Sequence, residues 1–441
     1  MKFAKLFEQV LQEEGIPPEW VHTAIQYKSL KKCINRIVDE LDEIGLKKKT
    51  LSFLLEDGIE TDDEFVKADY IFEKHTHSVK PKLIITLRHN AEDNNGELCK
   101  DKMTQEIKAT LQNIMDNELG LKNVGKVEKY IPKIVEVDND DNQEVQIVIH
   151  LYQDSIFFQM LYQELAALDD LKNSQESKMI QEVQDIGSII GSITSPTLKK
   201  TDLLVWREIF KMYIDSEIFF STSEFSPGER SVAQSEERLE LFFRRIKEKN
   251  MLKEFHHKVS VECFNNFYKV NIHLLKALQF QTFNKMAIFK ILKKFDKQTS
   301  LKGASGFPKL IEHDPFIKES FAHTMCAVIS SRLLNIIPQL DDYTCPICCS
   351  VTFKPIRLDC GHVFCVRCLV KMQRKRQDNC PLCREKVVMR ADEHNLDLAR
   401  LEYLKLYFPK ETKAKQLETE KEIAKEQFEA IYGDQQRCII Q

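Results

Sequence analysis

Cys345, Cys348, Cys360, His362, Cys365, Cys368, Cys380 and Cys383 fall within 39 residues and have the side chains and spacing for metal chemistry. They form four pairs, three of them C-x-x-C and the fourth Cys360-Gly361-His362. A two-residue gap lets a knuckle turn present two thiolates to one ion, and zinc prefers four thiolate or imidazole ligands in a tetrahedron. Eight ligands therefore make two closed sites. A closed site keeps no open position for water, so these zinc ions are structural. Cys349 adjoins the second ligand, has no place in the spacing and reads as a free thiol.

A second chemistry belongs to lysines. Lys290, Lys293, Lys294 and Lys297 recur at i, i+3, i+4 and i+7, one face of a helix, while Ile288, Ile291, Leu292 and Phe295 fall on the other side. Neighbouring ammonium groups repel by about 0.2–0.5 kcal/mol per pair, a cost that a bound polyanion removes. If the first two helices pack alongside, Lys2, Lys28, Lys31 and Lys32 join the patch. Amides at the N-terminus of the first helix then add anion affinity, and Tyr27 offers a hydroxyl proton to phosphate. The plain alternative is a solvated charged face.

Other signals are weaker. Gly120 to Val127 imitates a phosphate loop, but Val127 stands where Ser or Thr must hold magnesium. His256-His257 and His75-Thr76-His77 lack nearby acidic or thiol partners for a metal site and read as surface or core histidines. Cys438-Ile439-Ile440-Gln441 fits a prenylation box with Cys438 as the lipidated residue. One lipid chain without a polybasic flank anchors only weakly.

These groups need elements to position them. Phe3, Leu6, Phe7, Val10 and Leu11 have helical spacing, and Gly15-Ile16-Pro17-Pro18 stops that helix. A second helix is expected from Glu19, burying Leu30, Ile34, Ile37, Val38, Leu41 and Ile44, so residues 1–46 read as a helical hairpin. Residues 83–87 and 145–149 are strand-like, with helical stretches near 100–118 and 155–185. Long helical patterns return at 201–222, 229–249 and 251–297, and 308–338 is helical too. Residues 409–436 are highly charged and read as a solvated helix or a disordered tail.

Hydrophobic residues make up 43% of the 441, which suits several globular domains rather than a disordered chain. The net charge of −4 gives no electrostatic case for a nucleic-acid partner. Lysines interrupt the apolar pattern of Met1 to Val10, unlike a signal peptide, and no apolar run approaches the ~20 residues of a membrane helix. Clustered thiols with metal spacing point to a reducing, intracellular, cytoplasmic compartment, with membrane association only through a lipid on Cys438.

Three cysteines, one histidine and four cysteines in that order, with Cys360-Gly361-His362 at the centre, resemble the RING finger family over residues 342–388. The resemblance implies a cross-brace: Cys345, Cys348, Cys365 and Cys368 on one ion, and Cys360, His362, Cys380 and Cys383 on the other. It also implies binding of a ubiquitin-conjugating enzyme, through Ile347, Met372, Pro381 and Leu382. Many ligases have Trp where Met372 stands; Met is adaptable enough to fill the same groove. Arg384 matches the family's linchpin, which bonds both ubiquitin and the conjugating enzyme. No covalent intermediate forms on such a module, so catalysis is by positioning.

Met1-Lys2-Phe3-Ala4-Lys5, Tyr27-Lys28-Ser29-Leu30-Lys31-Lys32 and Lys290 to Lys297 resemble three separated stretches of the SPX domain family, with Ala4 where Gly is common. Trp206 to Phe220 and Glu229 to Phe243 are similar to its middle helices. The implied ligands are inositol polyphosphates and pyrophosphates, held by Lys2, Tyr27, Lys31, Lys290, Lys293, Lys294 and Lys297. The expected architecture is multidomain and mainly α. An SPX-like helical bundle (1–300, core 1–46 and 201–300) carries an inserted α+β segment (47–200). A helical connector (301–341), a small zinc-bound cross-brace RING (342–388) and a charged tail (389–441) follow. The expected function is a RING-type ubiquitin ligase under inositol polyphosphate control, serving phosphate homeostasis, with nutrient transporters as substrates by analogy with plant proteins of this architecture. The rival is a non-enzymatic phosphate-sensing adaptor that uses the RING only for protein binding.

Overall fold

Helix α1 (Phe3–Glu13) ends at Gly15, whose φ of 64° is the left-handed region that glycine enters without a Cβ clash. The computed structural model describes residues 3–56, 59–60, 64–75, 78–89, 130–139, 142–221, 228–310 and 320–432, with single positions at 109 and 316. The second helix does not run on from Glu19 as its pattern suggests. It divides into α2 (Pro18–Thr23) and α3 (Tyr27–Glu43), with Ala24 extended at ψ 152°. Distant side chains hold the break open. The Ile25 amide donates to Asn284 Oδ1 at 2.9 Å and the Gln26 amide to Glu164 Oε2 at 3.1 Å. Amides satisfied this way have no need of helical partners.

After α4 (Lys48–Glu56) come β1 (Ile59–Glu60), β2 (Glu64–His75), β3 (Ser78–His89), β4 (Tyr130–Asn139) and β5 (Asn142–Leu151). They form one five-stranded antiparallel sheet in the order β1-β2-β3-β5-β4. The two strand-like segments are direct neighbours, with Ile85 opposite Ile147. Leu83, Ile85, Ile147 and Ile149 are buried in the alternating pattern of a sheet with one covered face. Helix α5 (Tyr152–Ile193) follows, its first amides capped by Glu40, whose carboxylate accepts from Tyr152 N at 2.7 Å and Gln153 N at 2.9 Å. The helix expected near 100–118 (position 109 apart), the loop from Gly120 to Val127 and His77 lie outside the described residues.

The remaining bundle helices are α6 (Leu203–Ser216), α7 (Val232–Glu248), α8 (Lys258–Thr299), α9 (Gly303–Leu310) and α10 (Phe321–Arg332), as the long helical patterns imply. A short hairpin of β6 (Phe220–Ser221) and β7 (Gly228–Glu229) precedes α7. The metal-ligating segment folds around β8 (Pro355–Arg357), β9 (Val363–Cys365) and α11 (Val366–Arg374), followed by α12 (Leu398–Tyr407) and α13 (Pro409–Tyr432). The charged tail is thus a helix through Tyr432. Among the described residues no helix is long and apolar enough to cross a membrane.

By contacts the chain divides into two units, residues 1–181 with 270–326 and residues 182–269 with 327–441. The first is built on aromatic stacking: Phe157 lies 5.1 Å from Phe295, and Phe158 lies 4.8 Å from Phe72. In the second, His256 and His257 do have an acidic partner, contrary to the expectation from sequence. The buried Asp202 carboxylate accepts from His256 N at 2.6 Å, His257 N at 3.1 Å and Ser260 Oγ, and lies 3.1 Å from His256 Nδ1. Burial pushes this carboxyl up, but those bonds outweigh it and hold it below the usual range. The partner was invisible because it lies 54 residues upstream.

Also in the second unit, Arg207 of α6 is buried and clamps both flanks of the metal-ligating segment. Its Nε donates to Pro338 O at 3.0 Å, Nη2 donates to Tyr407 O at 2.9 Å, and the guanidinium lies 4.2 Å from the Phe408 ring centre. Val351, Leu404 and Phe408 make a small core beside it. Arg207→Ala takes this donor from the buried Pro338 carbonyl and the half-buried Tyr407 carbonyl and is expected to cost about 2–3 kcal/mol. Amide exchange at 338–343 and 403–408 should quicken; unchanged protection there would show that the clamp is dispensable.

Candidate metal centre and basic face

Two of the three C-x-x-C pairs are knuckles built by their own backbone, Cys345/Cys348 and Cys380/Cys383. In the first, Cys349 N donates to Cys345 O and Cys345 N to Ser350 O, both at 2.8 Å; in the second, Arg384 N donates to Cys380 O and Cys380 N to Glu385 O, both at 2.8 Å. The turns close only because the residue after the second cysteine is left-handed, Cys349 at φ 52° and Arg384 at φ 65°. Cys349 lies outside both ligand groups, as its spacing implies, and its backbone serves the turn. It is exposed, and it is the positional twin of Arg384.

The tertiary fold sorts the eight ligands into two groups, Cys345, Cys348, Cys365 and Cys368, and Cys360, His362, Cys380 and Cys383, with ligand atoms in each group within 4.8 Å of one another. This is the cross-brace pairing. With zinc–sulfur bonds of about 2.3 Å, a tetrahedron has sulfur–sulfur edges of about 3.8 Å. Cys348 Sγ and Cys365 Sγ are 3.8 Å apart, and His362 Nδ1 lies 3.4 Å from Cys360 Sγ and 3.7 Å from Cys380 Sγ. The residues fit two zinc ions, with His362 presenting Nδ1. Crowding says the same. Hydrogen bonds from Cys365 and Cys368 hold the Cys345 thiol far below its ordinary value, and the bond with Cys345 drives Cys365 far above it. A divalent cation relieves this competition and lets the thiols ionise together. Backbone amides add support, Phe353 N donating to Cys365 Sγ at 3.2 Å and Cys365 N to Cys345 Sγ at 3.4 Å.

Around the ions a small core forms from Ile356, Leu358, Phe364, Leu369, Val387 and Val388. The knuckle tips point outward. Ile347 is 39% exposed and Leu382 is 53% exposed, each following a proline inside its knuckle. Pro381 and Arg384 are exposed, and Met372 of α11 is half-buried against the core. The tail helix is part of this site, which its charge pattern did not show. Glu422 lies 2.8 Å from Lys371 Nζ and 3.7 Å from Arg367 Nε, and Glu426 pairs with Arg367 and with Arg374 at 3.2 Å.

The lysine face lies in the first unit. Lys290, Lys293 and Lys297 are exposed along α8, and Lys294 is half-buried. Ile288, Ile291, Leu292 and Phe295 are buried on the opposite side. Phe3 brings the three distant stretches together. Lys290 Nζ sits 4.0 Å from its ring centre, and the ring meets Tyr27 edge-on at 4.9 Å. Tyr27 is mostly buried and its hydroxyl pKa is raised by burial. Lys28 and Lys32 are exposed and Lys31, one turn beyond Tyr27, is half-buried. Lys2 and Cys438 lie outside the described residues. The helical spacing of Phe3 gave it a core role only; its place between Lys2 and Lys5 was the available signal.

Comparison with known proteins matches the SPX domain family to residues 1–311 and the C3HC4-type RING zinc finger to residues 345–383. The chain is 41% identical to the transcriptional regulator of yeast form adherence 3 of Candida albicans, over 96% of both chains. It is 34% identical to an uncharacterized RING finger protein of Schizosaccharomyces pombe over 100% of both. It is 27% identical to a probable E3 ubiquitin-protein ligase BAH1-like of Arabidopsis thaliana, over 48% of this chain and 74% of that one. No solved structure matches.

Proposed function

This chain belongs to the SPX domain family and carries a C3HC4-type RING, and from that premise we propose that it is a RING-type ubiquitin ligase regulated by inositol polyphosphates or pyrophosphates. The observation that carries the ligase reading is the matched pair of knuckle tips. Two closed zinc sites hold exposed Ile347 and Leu382 in fixed positions, and solvated aliphatic side chains on so small a module are explained by a protein partner. The zinc ions supply rigidity. The chain's own residues do the rest: Ile347, Pro381, Leu382 and Met372 hold the conjugating enzyme. Arg384, offering several donors in a fixed fork, orients the thioester-linked ubiquitin toward a substrate lysine. Nutrient transporters are the substrate class that the architecture suggests, serving phosphate homeostasis.

Ile347→Ala is expected to lower ubiquitin discharge at least tenfold by weakening conjugating-enzyme binding, with both zinc ions retained. Arg384→Ala should leave binding nearly intact and slow discharge, because the arginine acts on the assembled complex. Full discharge in both variants would refute these roles. The rival adaptor reading is favoured by Met372 standing where many ligases have Trp; no self-ubiquitination by the intact chain with any conjugating enzyme would establish it. We also place a prenyl group on Cys438: Cys438→Ser should shift protein from membranes to the soluble fraction, and an unmodified Cys438 by mass spectrometry would dispose of it.

A further inference from the structure

Between Arg367 and Arg390 the RING carries eight lysines and arginines against two acids, Asp378 and Glu385, in a chain whose net charge is −4. Six of these cations fall into two sets; of the other two, Arg390 lies 3.8 Å from Asp359 and Arg384 is the linchpin position. Arg367, Lys371 and Arg374 stand at i, i+4 and i+7 on α11 and are met by Glu422 and Glu426 of α13. The bond from Lys371 holds the Glu422 carboxyl below its ordinary value, and the bond from Arg367 does the same for Glu426. Lys375, Arg376 and Lys386 form the other set. All three are exposed, and among the described residues none has an ion-pair partner.

Their position follows from the backbone. Arg376 takes φ 54° where α11 ends, and Gln377 N returns to Met372 O at 3.0 Å, so the chain turns directly into the second knuckle. Lys386 stands opposite Asn379 in a single antiparallel bridge on the far side of that knuckle. The free cations therefore flank, before and after it along the chain, the second knuckle that carries Pro381 and Leu382. Unpaired charges at the rim of a docking surface contribute little net affinity, but they steer encounter and reject partners of like charge.

Resting on the ligase reading, we propose that Lys375, Arg376 and Lys386 form a selectivity rim that admits conjugating enzymes with an acidic docking surface. The partner's apolar contact meets Ile347 and Leu382 while its carboxylates meet the rim. The neighbouring half of the same basic segment is already occupied by carboxylates of this chain, which shows the partner chemistry these cations take. Nucleic acid is the weaker occupant, because exposed Pro381 and Leu382 and the acidic Glu385 lie among the cations.

The test measures ubiquitin discharge by the full chain from two charged conjugating enzymes, one acidic and one basic on the face that docks to RING modules. Wild type is compared with the Lys375→Glu, Arg376→Glu, Lys386→Glu triple variant at low and high salt. Wild type should prefer the acidic enzyme. The triple reversal should lose about tenfold on it at low salt and gain on the basic one, and the differences should shrink at about 0.5 M salt. Two zinc ions per chain in the variant show that the module is folded. Equal rates for wild type and variant on both enzymes overturn the rim while leaving the ligase standing. No discharge by wild type with either enzyme or any other overturns the ligase reading and the rim with it. Duplex DNA binding that the reversal abolishes without changing discharge would assign the rim to nucleic acid instead.

Discussion

Replacing Cys365 by serine is expected to release one zinc ion and unfold the whole module from Cys345 to Val388. Cys365 is 1% exposed and sits at the junction of β9 and α11, where its sulfur lies 3.8 Å from Cys348 Sγ and accepts from Phe353 N at 3.2 Å. Serine offers a shorter, harder and more basic oxygen that zinc disfavours beside three thiolates. The loss extends beyond one site for two reasons. A module this small buries too little apolar surface to fold without its staples, and structural zinc supplies on the order of 10–16 kcal/mol of folding free energy in zinc-finger peptides. The cross-brace also interleaves the two sites along the chain, so Cys360 and His362 of the second lie between Cys348 and Cys365 of the first. Metal content by emission spectroscopy should fall from two ions per chain to one or none, with loss of amide protection across β8, β9 and α11. Two ions retained in the variant would overturn the ligand assignment.

Removing the exposed cations of α8 should produce the second large effect. The variant is Lys290→Ala, Lys293→Ala, Lys297→Ala, chosen because these three are exposed while Lys294 is half-buried and already has a partner. A hydrogen bond to a charged group contributes about 1.5–3 kcal/mol, and exposure to solvent reduces that. Three such losses should weaken binding of inositol hexakisphosphate to the full chain about a hundredfold or more. Wild-type affinity should fall steeply as salt is raised, because partly exposed charges are screened. The bundle should survive, since Ile288, Ile291, Leu292 and Phe295 hold α8 from its other side. Titration calorimetry with circular dichroism as the fold control makes the measurement. Equal affinity in variant and wild type, or no binding by either, ends the sensor reading and leaves the ligase untouched. Regulation asks for more than binding: the ligand must favour one of two states of the chain by its differential affinity.

Much of both sites was legible because its determinants are local. A C-x-x-C knuckle is closed by backbone bonds within six residues, Cys345 to Ser350 and Cys380 to Glu385, so spacing alone announces it. Lysines at i, i+3, i+4 and i+7 share a face wherever a helix forms, and α8 forms as its apolar pattern requires. The strand-like segments 83–87 and 145–149 were legible by composition, but their adjacency was not, because the 57 positions from 88 to 144 separate Leu87 from Val145, its partner in the sheet.

By itself the sequence determined the zinc ligands, the basic helix face and the succession of helices, each set by side chains a few residues apart. Only the tertiary structure decided the rest. The break between α2 and α3 depends on an acceptor 259 residues away, the His256–Asp202 contact on one 54 residues away, and the Arg207 clamp on a carbonyl 200 residues away. The tail helix, read from its charges as solvated, settles on α11 because Arg367, Lys371 and Arg374 stand where Glu422 and Glu426 arrive. A local pattern can say that a donor, an acceptor or a charge exists. Which partner it meets depends on how the whole chain packs, since a buried amide or carboxylate must find one and takes the group that packing brings within about 3 Å.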